Sequence, residues 1–365
     1  MRELGVQIVI SAWSSLAPQR GSSRTKVGRL NSMNQLRNHA CLAATLMLVS
    51  GTLALGNDSA ASSGAGGIQL RHEANISMEK ERLTISESKV TVEYEFLTDT
   101  DKDITTEVAF PIPPYDNKAD NPGGIPSFND FHLWVDGKEL MYNIDVRAKL
   151  NGKDYTDLLK TLGIDIASFD GDYNLMGDPP KGAITRLPKK QVQQLSSLGL
   201  VDSANGTPLW EVVKTYYWTQ TFHAHKVLHV RHEYTPKIGF ELINPEDLAS
   251  NKPHPNDPRG EVEHVCVDPS FQKELADRGV QMVMGWVDYI LTTANTWKTP
   301  IKDFTLVIDR RRGSAPVAGV GTQYVSLCWD GPINKLDADH LVAHKTNFVP
   351  QKELNVAFIS FIEAP

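Results

Sequence analysis

The stretch Val90-Thr91-Val92-Glu93-Tyr94-Glu95-Phe96, a polar run over 98–103, and then Ile104-Thr105-Thr106-Glu107-Val108-Ala109-Phe110-Pro111-Ile112-Pro113 decides the fold class. Val90, Val92, Tyr94 and Phe96 alternate with Thr91, Glu93 and Glu95, and the alternation resumes at Ile104, Thr106, Val108, Phe110 and Ile112. A period of two marks two strands, each with one buried face. With the acidic run as a turn, the stretch reads as one long β-hairpin. An isolated two-stranded ribbon is marginal in water, so its apolar face must lie on further strands. The pattern predicts scaffold and carries no chemistry.

Working outward, Phe131, Leu133 and Val135 lead into Asp136-Gly137, a hairpin-turn pair, and Leu140, Tyr142, Ile144 and Val146 alternate away from it. With short strand candidates at 76–78 and 83–85, this gives a β-rich, sandwich-like unit over 68–150. The period then changes: Tyr155, Leu158, Leu159 and Leu162 fall at i, i+3, i+4 and i+7, with Gly163 placed to cap a short helix. A second helix opens at Pro188 and runs through Val192, Leu195 and Leu198 to Gly199. Residues 151–206 are therefore expected to form a small helical and loop insertion.

Strand pattern returns at Trp210. Tyr216, Trp218 and Phe222 share one face, Leu228, Val230 and Tyr234 share another, and a turn at 223–226 makes these a second large hairpin. Asp268 is a natural N-cap with Pro269 at the first helical position. Phe271, Leu275, Val283, Trp286, Val287, Ile290, Leu291 and Ala294 then predict one long helix over 269–296, bent or broken at Gly279. Strand pattern follows at 304–308, 324–329 and 354–362, so 207–365 reads as a second β-rich unit. The order β, small α, β, α, β, without βαβ repeats, argues for an α+β fold of mostly antiparallel, β-sandwich-like sheets.

The N-terminus speaks of export. Arg37 and His39 precede the apolar run 40–49, which continues to Ala54-Leu55-Gly56. A positive flank, an h-region of this length and small residues at −3 and −1 make 33–56 a signal peptide, with cleavage before Asn57. The run is short for a membrane span and is interrupted by Ser50, Gly51 and Thr52. Residues 1–32 lie upstream of Met33 and read as a mis-assigned start or an extended basic leader. Residues 57–67, small and polar, read as a flexible lead-in.

Cleavage would remove six Lys/Arg and one Glu, taking the net charge from −7 to −12. A clearly acidic chain is repelled by phosphate backbones and anionic lipid heads, which argues against nucleic-acid and membrane-surface roles. Of three cysteines, Cys41 leaves with the leader, and Cys266 and Cys328 form an even pair. In an oxidising compartment the simplest outcome is one disulfide, worth roughly 4 kcal/mol in the chain-entropy picture.

Several blocks resemble a known family. Asn57-Asp58-Ser59-Ala60, Gly66-Gly67-Ile68, Leu83-Thr84-Ile85-Ser86 and Ala109-Phe110-Pro111 are similar to the opening of exported bacterial proteins grouped as domain of unknown function 4424. Tyr217-Trp218-Thr219-Gln220-Thr221-Phe222, His232-Glu233-Tyr234-Thr235-Pro236, Trp297-Lys298-Thr299-Pro300-Ile301 and Leu327-Cys328-Trp329 are similar to its later blocks. The resemblance implies a signal peptide and a periplasmic or extracellular location. It supplies no activity, cofactor or catalytic residue.

Candidate chemistry is sparse. His223, His225 and His229 share strand parity and could present three imidazoles to Zn²⁺ or Cu²⁺, whereas alternation puts His232 on the opposite face. The competing reading is a pair of solvent-exposed turn histidines. Cys328-Trp329 with His264, His340 or His344 imitates a nucleophile with its base, but Cys328 lies in a strand pattern and has a disulfide candidate. Asp99, Asp101 and Asp103, like Asp170, Asp172 and Asn174, imitate a calcium loop but lack glycine at its sixth position and glutamate at its twelfth. Residues 310–312 read as a solvated basic turn, and the chain has no phosphate loop or serine elbow.

The sequence thus points to an exported, non-catalytic binding or envelope-associated module, with an envelope protein or a glycan as partner and no membrane span after cleavage. A metal-dependent enzyme using the cluster from His223 to His232 is the first alternative. A carbohydrate-binding module is the second, and it requires Trp134, Trp210, Trp297 or Trp329 exposed on one surface.

Overall fold

Both strands of the opening stretch form, yet they do not pair with each other. The computed structural model describes residues 57–64, 67–115, 130–167, 187–202, 207–236, 238–249, 259–311 and 320–362. In chain order the strands begin with β1 (Ser59–Gly64), β2 (Gly67–Leu70), β3 (Ile76–Ile85), β4 (Val90–Thr98), β5 (Ile104–Pro111), β6 (His132–Val135), β7 (Lys138–Glu139), β8 (Asn143–Leu150) and β9 (Lys153–Asp154). They continue with β10 (Glu211–Phe222), β11 (Val227–Tyr234), β12 (Gly239–Ile243), β13 (Met282–Tyr289), β14 (Ile301–Asp309), β15 (Val320–Leu327), β16 (Asn334–Lys335), β17 (His340–Phe348) and β18 (Leu354–Phe361). The helices are α1 (Thr156–Thr161), α2 (Lys189–Ser197), α3 (Pro245–Ala249), α4 (Arg259–His264) and α5 (Pro269–Asp277), and a 3₁₀ turn spans Thr292–Thr296.

These strands make a six-stranded sheet, β2-β1-β5-β10-β8-β9, an eight-stranded sheet, β16-β17-β14-β3-β4-β11-β6-β7, and a four-stranded sheet, β12-β13-β18-β15. Neighbours are antiparallel except β14 beside β3, so the expectation of mostly antiparallel sheets holds. The two long hairpins do not. From β4 to β5, and again from β10 to β11, the chain crosses between the eight-stranded and six-stranded sheets. Alternation says which side of a strand is buried and leaves its neighbour open; a hairpin and a crossover between facing sheets require the same pattern. The inner faces meet through Phe96 on Phe222 at 5.8 Å, Phe131 stacked on Tyr216 at 4.1 Å and Phe110 against Tyr234 at 5.7 Å between ring centres.

Strands from 68–150 and 207–365 interleave in both large sheets, so the boundary drawn between those stretches does not separate two cores. Asp136-Gly137 does make a tight turn, with φ of 47° and 76°, joining β6 to β7. The strand after it lasts two residues; Leu140 and Ile144 are exposed, and β8 belongs to the other sheet. The helical expectations at 155–162 and 188–198 match α1 and α2, each followed by a glycine of positive φ, Gly163 and Gly199.

The long helix at 269–296 is not there. Asp268 accepts from the Ser270 N–H and Pro269 opens α5 as expected, but α5 ends at Asp277, Gly279 turns with φ 63°, and β13 follows. The reason lies in what covers β13. Val287 and Tyr289 face the main core with Val356 and Phe358 of β18, while Met282 and Met284 face Val262, Val265, Phe271 and Leu275 of the helical cap. A strand buried on both sides reads as a nearly continuous apolar run, and such a run contains helix-spaced positions by accident.

The lead-in at 57–67 also proves to be structure: 59–64 is β1, inside the six-stranded sheet, and Asn57, Asp58 and Ser59 are fully buried. Its small side chains, which resembled a linker, let the chain pass under Trp297 and the 3₁₀ turn. The Trp297 indole N–H donates to the Asp58 carbonyl at 2.6 Å, and the Ser59 and Thr296 hydroxyls lie 2.8 Å apart.

Gly239, opposite Trp286 in the four-stranded sheet, faces that ring so closely that an added Cβ would stand 2.1 Å from it. Gly239→Ala is expected to cost about 1–3 kcal/mol by overpacking, read as a lower urea midpoint at unchanged slope. An unchanged midpoint would show that the indole swings aside freely.

Candidate functional site

The outward phase of the eight-stranded sheet carries the densest surface chemistry among the described residues. Lys80 and Arg82 of β3 lie opposite Glu95 and Glu93 of β4, which in turn lie opposite His229 and Arg231 of β11, and Arg231 lies opposite Trp134 of β6. The row of Arg82, Glu93 and Arg231 therefore alternates in sign from strand to strand, and the row beside it opens with Lys80 opposite Glu95. Lys80 Nζ is 3.5 Å from Glu95 and Arg82 Nε is 4.0 Å from Glu93. Arg231 and Lys89 both pair with Glu233. The Arg231 guanidinium sits over Trp134, 4.5 Å from the ring centre, and the His132 ring lies 5.5 Å away at 19°.

Together Lys80, Arg82, Glu93, Glu95, Trp134 and Arg231 line a groove of about 500 Å³. Exposed pairs of this kind contribute about 0–1 kcal/mol each to stability, so their side chains can exchange partners cheaply. The arrangement can hold a polar ligand that carries charges of both signs. Sequence reasoning named Trp134 but passed over the charged residues because it followed the buried phase of each strand. The signal was present in the other phase, where Lys80, Arg82, Glu93, Glu95 and Arg231 alternate with core residues.

The residues singled out from sequence are not gathered. His223 Nδ1 lies 2.7 Å from Asp103 and His225 Nε2 lies 3.1 Å from Asp101, where the turns at 99–103 and 223–226 meet. His229 is on the exposed face of β11, with its backbone N–H bonded to Asp136 at 3.0 Å. Among the described residues no group of three or more His, Cys, Asp or Glu is placed to hold a metal ion, so the three-imidazole arrangement drawn from spacing is not assembled.

Cys328 is joined to Cys266, with Cα atoms 5.1 Å apart, which removes it as a nucleophile. His264, His340 and His344 sit instead beside Asp288, Asp337 and Asp303. Asp99 pairs with Lys298 and Asp103 accepts from the Ala224 N–H, and these partners hold both carboxyls below the usual carboxylate range. Asp170, Asp172 and Asn174 lie outside the described residues. Arg310 is buried rather than solvated, donating to the Gln323 and Ala338 carbonyls; Arg311 pairs with Asp309, and Arg312 lies outside the described residues. Of the four tryptophans any of which could serve a sugar platform if exposed, Trp210, Trp297 and Trp329 are buried, and Trp134 reaches the surface.

A second constellation is entirely internal. The Asn57 amide donates to both oxygens of Glu81 at 3.0 and 3.1 Å and accepts from the Tyr94 hydroxyl, which lies 3.2 Å from that of Tyr289. Neither carboxylate oxygen of Asp58 receives a hydrogen bond, and His232 Nε2 stands 3.5 Å from its Oδ1. That imidazole is ringed by Tyr94, Phe110, Phe131 and Trp218. Burial holds His232 down to about 3, so it is neutral and the contact with Asp58 is not an ion pair. Burial pushes Glu81 up to about 8 and raises Asp58 well above its ordinary value, with the charge of Glu81 adding to the latter. All of these side chains are sealed from solvent, so they cannot meet a diffusing substrate.

Compared with known proteins, residues 56–357 match the sequence profile of a family described as Domain of unknown function (DUF4424). A search of the curated proteins finds no match. Among solved structures, the chain is similar to a protein of Legionella pneumophila described provisionally as a nutrient binding protein. The two share 14% identity over 83% of this chain and 70% of that one, with a TM-score of 0.37, a likeness that carries no argument about function.

Proposed function

Since the chain belongs to the family of domain of unknown function 4424, whose description assigns no activity, we propose from the residues themselves that it is an exported, non-catalytic binding module. Its ligand seat is the groove around Trp134. The observation that carries this reading is the ladder of alternating charge on the outer sheet face, closed at one end by a cation-covered indole. Such a surface fits a mixed-charge ligand, most simply a peptide segment of an envelope protein, better than a glycan, because three of the four candidate tryptophans are spent in the core. Export is supported by the leader pattern and by the disulfide between Cys266 and Cys328. No helix of the described residues is long and apolar enough to cross a membrane.

Binding is tested by titrating mixed-charge oligopeptides and neutral oligosaccharides into the protein beginning at Asn57, by calorimetry. Arg231→Ala and Trp134→Ala are each expected to weaken peptide binding by roughly tenfold or more while leaving the melting temperature within a degree or two, because arginine and tryptophan at the centre of a contact carry most of its energy. Arg311→Ala, a partly exposed arginine outside the groove lining, should change nothing. A ligand whose affinity ignores both groove variants would remove the site, and a preference for neutral saccharides would favour the glycan reading.

A further inference from the structure

Two carboxylates share the closed interior at the start of β1 without a cation. Asp58 and Glu81 are fully buried, and the described groups facing them are the amide of Asn57, the hydroxyls of Tyr94, Tyr289 and Thr293, and the neutral imidazole of His232. No Lys or Arg of the described residues pairs with either. An unpaired ionised carboxylate inside a protein is costly, and two close together more so. Beside them, the Asn57 backbone nitrogen is itself buried and donates to Thr293 Oγ1, while the Asn57 carbonyl accepts from the same hydroxyl at 2.9 Å. The residue that touches Glu81 and precedes Asp58 is also the first residue after the expected leader.

We propose that the missing cation is the mature N-terminus: hydrolysis of the Gly56–Asn57 bond frees an α-ammonium that stays in this pocket and balances one ionised carboxylate of the Glu81 and Asp58 pair, the other carboxyl keeping its proton. An endopeptidase of the export route adds one water across the bond, giving Gly56 its carboxylate and Asn57 its amino group. The inference rests on the export reading above. It makes processing part of folding, because a chain with the leader attached carries a neutral amide at this point and cannot supply the charge.

The proposal is tested with two proteins, the exported and processed chain and the same chain carrying a five-residue Gly/Ser extension before Asn57. In the extended chain Glu81 titrates near 8 when folded, against an ordinary value of 4.5, so the folded state holds its proton longer and stability falls as pH rises between them. Asp58, also raised, acts in the same sense. His232, lowered from 6.5 to about 3, acts oppositely, but only below 6.5, and the phenols of Tyr94 and Tyr289 are raised beyond the range. The window to read is therefore pH 6.5 to about 7.5, below the ordinary range of an α-amino group.

There the extended protein, with both carboxyls unbalanced, should lose melting temperature with rising pH more steeply than the processed one, which should melt roughly 5 °C or more higher. Glu81→Gln should narrow the gap. Should the extended chain fail to fold, the processed protein alone decides: under native conditions its α-amine should be acylated at least roughly tenfold more slowly than surface lysines, and at least as fast as they are once unfolded. Equal melting curves, or a freely labelled terminus on a chain that begins at Asn57, overturn this inference and leave export intact. An exported protein whose intact mass begins at any other residue overturns the inference together with the cleavage site, and a chain retained in the cytoplasm with residues 1–56 attached overturns the export reading itself.

Discussion

Replacing Trp297 with alanine is expected to lower the unfolding free energy by about 5 kcal/mol. Two effects add. The indole is almost wholly buried, 4.7 Å from the ring of Phe96 and 6.0 Å from that of Phe222, at the place where the two large sheets and the N-terminal strand converge. Removing it leaves a void that rigid neighbouring strands cannot close, at a cost of about 3–5 kcal/mol. It also orphans the buried Asp58 carbonyl, which accepts from the indole N–H at 2.6 Å, adding about 1–3 kcal/mol.

Trp297→Phe separates the two effects, since it keeps most of the ring contact and loses the hydrogen bond. It should cost about half as much. Urea unfolding of both variants reads the difference directly, with midpoints shifted at constant slope. A loss below about 2 kcal/mol for the alanine variant would mean that the N-terminal strand is not anchored here, and equal losses for both would assign the whole effect to the hydrogen bond.

Converting Cys266 and Cys328 to serine together should cost about 4 kcal/mol, because the bond closes a chain separation of 62 residues and denies the unfolded state that freedom. The loss should also be local before it is global. Cys266 follows α4, and Cys328 follows β15, so the bond ties the helical cap to the four-stranded sheet over the small core of Val262, Val265, Phe271 and Met282. Without it, backbone amides in α4 and α5 should exchange faster than those of β4 or β10. Hydrogen exchange with and without reductant tests this, and uniform protection across both regions in the reduced protein would show that the cap holds without its covalent tie.

Much of the fold was legible at the level of single elements. Strand positions, the buried face of each strand, the two short helices with their terminal glycines and the Asp268-Pro269 helix start follow from local rules, because periodicity and capping are set by residues a few positions apart. Partnership was not legible. The alternation at Val90, Val92, Tyr94 and Phe96 is the same whether the next strand lies beside or across, and the run from Met282 to Tyr289 looked helical because both of its sides are covered. The candidate site was half legible: Trp134 was named for its chemistry, but Lys80, Glu93 and Arg231 gain meaning only once β3, β4, β11 and β6 are neighbours.

By itself, the sequence determined the class of this protein: mostly antiparallel strands with one apolar face each, and two cysteines placed to pair. Only the tertiary structure decided which strands share a sheet, that the small polar segment Ser59–Gly64 is a strand of the six-stranded sheet, and that Asp58 and Glu81 meet in a closed interior. The division has one physical cause. Local pattern records whether a residue is covered, whereas hydrogen-bonded pairing and the balance of buried charge depend on residues far apart in the chain, such as Asn57 and Thr293, that meet only on folding.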